Sequence, residues 1–201
     1  RDLIPDAIKI GMLASDDVVR NVQLALAPFL SAPSGVPIVI DPVLAASDGT
    51  ALLERRAWGA LQALIGSAVL VTPNLPEAAA LTGCDTSTEE GTQAAACVLV
   101  AELGARASLV KGGHRDGPPR DLLAVREGGS VSLRWLEGKR VAGGPFHGTG
   151  CALSSAITAQ LALGAPLDDA VERGRQFVAN ALRDSVGSGA RARLLRYSCS
   201  D

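Results

Sequence analysis

Aromatic residues make up only 3% of the 201 positions, and there is a single methionine. Large flat side chains are scarce, and Ala, Leu and Val supply most of an apolar content of 47%. That composition suits helices laid over a sheet better than an all-β sandwich. Basic runs are absent and the net charge is only -2, with acids and bases interspersed. This excludes the electrostatic footprint of a nucleic-acid binder and leaves a small molecule as the expected partner. The four cysteines, Cys84, Cys97, Cys151 and Cys199, form no C-x-x-C pair and have no histidines at zinc-ligand spacing, which argues against a zinc site and a disulfide scaffold. A reducing cytosol is the simplest setting. No apolar stretch reaches the roughly 18 uninterrupted residues of a membrane span. The start, Arg1-Asp2-Leu3-Ile4-Pro5-Asp6, lacks the tripartite pattern of a signal peptide. The expectation is therefore a soluble cytoplasmic protein, with one domain over 1–201 fitting the length better than two.

What is present is alternation of strand and helix. Ala7 to Leu13 reads as a strand, followed by Ser15 as a helix cap and by Asp16 and Asp17 at the positive end of a helix that runs to Leu30. Val36 to Ile40 is continuously apolar, as in a parallel strand buried on both faces, and stops at Asp41-Pro42. A helix over 52–65, a strand over 68–72, a helix over 89–103 and a strand over 108–111 follow. Right-handed crossovers turn that βαβαβαβ order into a three-layer sandwich. Asp121 to Arg126 and Ser130 to Leu136, joined at Gly128-Gly129, predict an antiparallel hairpin at the sheet edge. Two helices close the reading, one from Cys151 to Leu163 before Gly164 and one from Leu167 to Val186.

Glycines crowd before the first of those two helices, in Gly143-Gly144-Pro145-Phe146-His147-Gly148-Thr149-Gly150. Such a loop turns backbone N–H groups inward with no side chain in the way, and the helix that follows aims its positive end at the same spot. The pattern is suited to holding developing negative charge. Cys151, in the first turn, has its thiolate favoured by the same dipole and is a candidate base or nucleophile; the alternative is a small buried Cys beside a glycine turn. A Cys–His hydrolase built on Cys151 and His147 would need an orienting third group that the sequence does not supply. His114 and His147 both lie in glycine loops at strand ends, where polar contacts with a ligand are expected.

The run His147-Gly148-Thr149-Gly150-Cys151-Ala152-Leu153-Ser154-Ser155-Ala156 resembles the anion-hole signature of the hydroxymethylpyrimidine and phosphomethylpyrimidine kinases of thiamin synthesis, members of the ribokinase-like superfamily. Four further segments resemble the family's strand-end motifs in the same order. Lys9-Ile10-Gly11-Met12-Leu13 is similar to the strand whose Met end lines the pyrimidine pocket, and Asp41-Pro42-Val43-Leu44 to its Asp-Pro-Val loop. Thr72-Pro73-Asn74-Leu75-Pro76-Glu77-Ala78 is similar to the Asn-x-x-Glu segment serving magnesium and nucleotide phosphates, and Val110-Lys111-Gly112-Gly113-His114 to the loop beside the ATP phosphates. All follow parallel strands at the ends where open α/β sheets place ligands.

The resemblance implies a ribokinase-like α/β/α sandwich, mainly parallel with an antiparallel edge hairpin. It implies ATP and Mg2+ as cofactors, a homodimer, and phosphorylation of a hydroxymethyl group, with pyridoxal-type substrates or ligand binding without catalysis as alternatives. Carried over, Cys151 is the catalytic base and Gly148, Thr149 and Gly150 form the anion hole. Thr72, Asn74, Glu77, Lys111 and Gly113 serve the nucleotide, with Asn74 and Glu77 reaching the metal through water. Met12, Asp41, Val43 and His147 face the substrate. Taken singly, Glu77 also reads as a helix-start acid, Asp41 as a turn cap and Lys111 as a solvated strand-end lysine. Two departures stand out: the resemblance starts about a quarter of the way into a typical family member, and Gly187-Ser188-Gly189-Ala190-Arg191 differs from the family's ending.

Overall fold

A computed structural model describes residues 4–30, 35–46, 48–113, 117–141, 146–188 and 192–197. Six strands form one sheet in sequential order, β1 (Ile8–Ile10), β2 (Ile38–Ile40), β3 (Leu70–Val71), β4 (Ala107–Val110), β5 (Arg120–Glu127) and β6 (Ser130–Glu137). The first four are parallel and the last two form the antiparallel edge hairpin. Between the parallel strands lie α1 (Asp16–Leu30), α2 (Trp58–Ile65), α3 (Leu75–Thr82) and α4 (Glu89–Ala101).

Sequential strand order has a steric consequence. Crossovers of one hand carry every connecting helix to the same face of the sheet, so the other face must be covered by helices from elsewhere in the chain. The apolar residues divide accordingly. Ile38, Ile40, Val71 and Val110 pack with α1 to α4 through Val19, Leu61, Ala78 and Leu99. Their strand neighbours Val39, Leu70 and Leu109 point the other way, toward Leu153, Ile157, Ala170 and Val171. These belong to α5 (Thr149–Ala162) and α6 (Leu167–Arg183), which follow the hairpin and close the third layer. The period-2 alternation of short, wholly buried strands thus assembles both cores.

The expected architecture is present, with differences at element ends. The strands are shorter than their apolar runs, and α1 begins after Ser15, whose Oγ accepts the Val18 N–H at 3.4 Å. The helix expected from Leu52 starts only at a 3-10 turn, Arg55–Ala57. Residues 51–54 are held extended: Leu52 and Leu53 N–H donate to the Leu44 carbonyl at 2.8 and 3.2 Å, and Glu54 N–H to that of Ala14 at 3.2 Å. Helix α3 fills the stretch between the third strand and the long helix after it, where the sequence pattern predicts only a helix-start acid at Glu77. Its start is a capping box, with Asn74 Oδ1 accepting the Glu77 N–H and Glu77 Oε2 accepting the Asn74 N–H, both at 2.8 Å. The last helix ends at Arg183, because Val186–Ser188 (β7) pairs instead with Ala192–Leu194 (β8).

Candidate active site

Adjacent parallel strands end together, so residues far apart in sequence meet. Asp41, Thr72 and Lys111 leave β2, β3 and β4 at the same level, where Asp41 N–H donates to the Ile10 carbonyl, Thr72 N–H to that of Ile40, and Lys111 N–H to that of Pro73. A further bridge pairs Asn74 with Lys111. The Asp41 carboxylate is 2% exposed and survives burial through two donors: Lys111 Nζ lies 2.8 Å from its Oδ1 and Thr72 Oγ1 3.3 Å from the same oxygen. Such a pair holds its geometry because removing either partner strands a buried charge.

Facing this pair is the start of α5. Gly148 occupies the helix N-cap at φ 80° and ψ 6°, a left-handed conformation natural only to glycine. The helix itself offers no acceptor for the first N–H groups beyond it, those of Thr149, Gly150 and Cys151. Gly150 needs to be small for another reason. A Cβ there would lie 3.0 Å from Lys111 Nζ and 3.8 Å from Asp41 Oδ2. A lysine ammonium and helix-start N–H groups that have no acceptor within the helix therefore converge within contact distance of one glycine. That arrangement favours a bound anion.

Cys151 departs from the sequence expectation. The helix start favours its thiolate, but the structure adds opposing influences: desolvation, the largest, and then the negative charge of Asp41 push the thiol above its ordinary pKa. Lys9 and Lys111 pull in the other direction. The residue as a whole is exposed, but its thiol hydrogen-bonds the Asp41 carboxylate, which also keeps the proton on sulfur. Glu77 is likewise raised above its ordinary value. Burial is the largest cause, and Asp41 adds to it, while Lys111 and the N–H groups of Asn74 and Leu44 oppose. With one carboxylate oxygen engaged in the capping box, this 6%-exposed acid is a structural part of the strand-to-helix turn.

The remaining candidates sit around this centre. Val43 is half-buried just past Asp41, its N–H folded back onto the Asp41 carbonyl at 2.8 Å. Met12, beyond the end of β1, is 59% exposed. Gly113 is exposed, and its carbonyl accepts from Arg140 at 3.4 Å. His147 is exposed and lies near Asp48, whose carboxyl is held low first by hydrogen bonds from Thr50 and, as a lesser cause, by His147. His114 and Gly143 to Pro145 lie outside the described residues. Asp41, Thr72, Asn74, Glu77, Lys111, Gly150 and Cys151 are thus brought together, whereas Met12, Gly113 and His147 are exposed around them.

Lys9 was missed as a member. It alternates with Ile8 and Ile10, which pack into the α1–α4 core, so it faces α5; a Cβ on Gly11 would lie 2.6 Å from its Nζ. A charged residue at the middle of a strand otherwise built for burial was the available signal.

The sheet order, the layers and an anion-holding helix start at the strand ends define an α/β sandwich of the ribokinase-like kinase class. The family model for phosphomethylpyrimidine kinase matches residues 1–195, and the chain belongs to that family. It is 35% identical over 193 residues to the hydroxymethylpyrimidine/phosphomethylpyrimidine kinase of Staphylococcus aureus (strain MRSA252), covering 94% of this chain and 67% of that protein. Among solved structures, it superposes on phosphomethylpyrimidine kinase from Clostridium difficile 630 with a TM-score of 0.75 at 30% identity, covering 90% of this chain and 71% of the other. An ADP complex of Bacillus subtilis pyridoxal kinase gives a TM-score of 0.82 at 28% identity, covering 96% and 69%.

Proposed function

We propose that this chain transfers the terminal phosphoryl group of ATP to the hydroxymethyl group of 4-amino-5-hydroxymethyl-2-methylpyrimidine or its monophosphate, as its family membership implies. The observation that carries the proposal is the meeting of Lys111, Asp41 and the α5 start at Gly150. In the transfer, the substrate hydroxyl oxygen forms a bond to phosphorus as the bond to the ADP oxygen breaks, and the hydroxyl proton passes to Cys151 Sγ in its thiolate form. The N–H groups of Thr149, Gly150 and Cys151 and the Lys111 ammonium hold the charge carried by the phosphoryl oxygens, the main catalytic demand of this chemistry. Neutralising Asp41, by a cation or by Lys9 and Lys111, favours the thiolate.

The donors at the strand ends, Asp41, Thr72 and Glu77, are all oxygens, which suits magnesium. Glu77 is committed to its capping box, so with Asn74 it serves such an ion through water. Magnesium, when bound, neutralises phosphate charge. Met12, Val43 and His147 are assigned to the substrate side and Gly113 to the nucleotide. A single domain, a homodimer and a cytoplasmic setting complete the proposal; among the described residues no helix is long and apolar enough to cross a membrane.

A pyridoxal-type substrate is the second reading, favoured by the TM-score of 0.82 to the pyridoxal kinase. A coupled ADP-release assay with the pyrimidine and with pyridoxal separates them. Turnover of the pyrimidine is expected, and turnover of pyridoxal alone overturns the assignment.

A further inference from the structure

Helix α6 supplies nothing to the strand-end cluster, yet one of its side chains is bonded at every guanidinium nitrogen. Arg175 Nε donates to Asp121 Oδ2 at 3.0 Å, its two terminal nitrogens to Glu172 at 3.3 Å and to the carbonyls of Leu136 and Glu137 at 2.9 and 2.8 Å. Asp121 and Arg175 are only 17% and 13% exposed at their side chains. The other Asp121 oxygen does something different. Its Oδ1 accepts the Gly112 N–H at 3.0 Å, and Gly112 directly follows Lys111. The backbone there lies so close to β5 that a Cβ on Gly112 would fall 1.8 Å from the Arg120 carbonyl oxygen.

We propose that Asp121 and Arg175 are positioning residues that clamp the Lys111-Gly112-Gly113 segment in the register the nucleotide phosphates require. The fork geometry explains the choice of arginine. A planar guanidinium satisfies a carboxylate and two carbonyls at once, fixing the orientation of Asp121, and the oriented carboxylate then fixes Gly112. Lys111 points to Gly150 from the residue next to that anchor, so a small rotation of the segment moves its ammonium away from the α5 start. Misplacement on the scale of 1 Å is costly in phosphoryl-transfer sites.

This inference rests on the kinase reading, and its test separates the two. Titration calorimetry with Mg-ADP and steady-state kinetics are run on the parent, Asp121→Ala, Asp121→Asn and Arg134→Ala. Arg134 pairs with Asp168, so it ties the same hairpin to the same helix without touching the loop after β4, and serves as the control for structure alone. Asp121→Ala is expected to raise the Mg-ADP Kd and the KM for ATP about tenfold or more, while the KM for the pyrimidine stays within about twofold of the parent. Asp121→Asn, which keeps one acceptor, should fall between, and covers the case in which the alanine variant does not fold. Arg134→Ala should match the parent. Equal nucleotide affinity in parent and both Asp121 variants, or equal losses in Asp121→Ala and Arg134→Ala, overturns the clamp alone. A folded parent that binds no nucleotide overturns the kinase reading and the clamp with it.

Discussion

Gly150→Ala separates stability from catalysis at this site, because the two effects have different physical origins. Gly150 lies in the first turn of α5, and its φ is not among the positive ones. Alanine is therefore compatible with the backbone and gains up to about 1 kcal/mol of helix propensity over glycine. Opposing this, the new Cβ lands 3.0 Å from Lys111 Nζ, a contact tighter than most but made with the far end of a flexible side chain. A shift of a few tenths of an ångström relieves it, at a cost of about 1 kcal/mol or less. The two terms nearly cancel. In a chain of this size 1 kcal/mol corresponds to about 2–4 °C, so Tm should stay within about 4 °C of the parent. Catalysis has no such compensation, since the methyl group occupies the place where the α5 start and the lysine converge. Blocking one anion-hole donor costs about 10²–10³ in kcat, and that range is expected here. Scanning calorimetry and a coupled ADP-release assay on the same preparation measure both. An alanine variant with parental kcat would refute the anion-hole reasoning, and a Tm lowered by 10 °C or so would refute the balance of propensity against contact.

Three further outcomes are expected. Cys151→Ala should lower kcat by about a hundredfold or more, the scale of general-base catalysis, with the Mg-ADP Kd nearly unchanged; parental turnover removes Cys151 from the mechanism. Asp41→Asn should move the pH dependence of Cys151 alkylation by iodoacetamide to lower pH, because the charge that raises the thiol is gone, and an unchanged profile would show that Asp41 does not govern the sulfur. Glu77→Gln keeps a carbonyl oxygen for the Asn74 N–H and removes a carboxylate whose folded pKa lies above its ordinary 4.5. A raised pKa contributes stability below that value and loses it as pH rises through the folded pKa. The variant's Tm should therefore gain on the parent's as pH rises above the ordinary 4.5, and the magnesium needed for activity should rise; identical Tm profiles and magnesium dependence would leave Glu77 a helix-start acid alone.

The parts of the fold legible in the sequence were those where one physical signal dominates. Ile38, Val39 and Ile40 are apolar in succession because both faces of β2 are buried, and Gly128-Gly129 stands where the hairpin reverses. Where tertiary hydrogen bonds compete with local preference, the reading failed. Leu52 and Leu53 have the spacing of a helix start, but their N–H groups go to Leu44, a long-range partner that periodicity does not reveal. The capping box of α3 was there to be read in Asn74-Leu75-Pro76-Glu77, complete with a proline in the first turn. At the strand ends, Asp41, Thr72 and Lys111 meet in space because parallel strands in register end together. The sign of the Cys151 perturbation was not accessible, since it depends on a carboxylate 110 residues away in sequence and on desolvation by the folded chain around the thiol.

That long-range carboxylate makes the site electrostatically self-limiting. Among the described residues Lys111 is the cation closest to Gly150, and in this structure it already belongs to Asp41. A phosphate arriving at the α5 start competes with Asp41 for the same ammonium, and any charge it withdraws leaves a buried carboxylate undercompensated, which is costly. Undercompensation of Asp41 would also push the Cys151 thiol further up, against the base role. Nucleotide alone would therefore work against the proton acceptor, whereas a divalent cation held near Asp41 would supply the compensating charge there and leave Lys111 to the phosphoryl group. The coupling is thermodynamic and reciprocal: whatever magnesium does for nucleotide affinity, nucleotide does for magnesium affinity. Under the proposed function, a need for a divalent cation is the expected outcome of the pairing of Lys111 with Asp41, independently of any direct contact between an ion and Glu77.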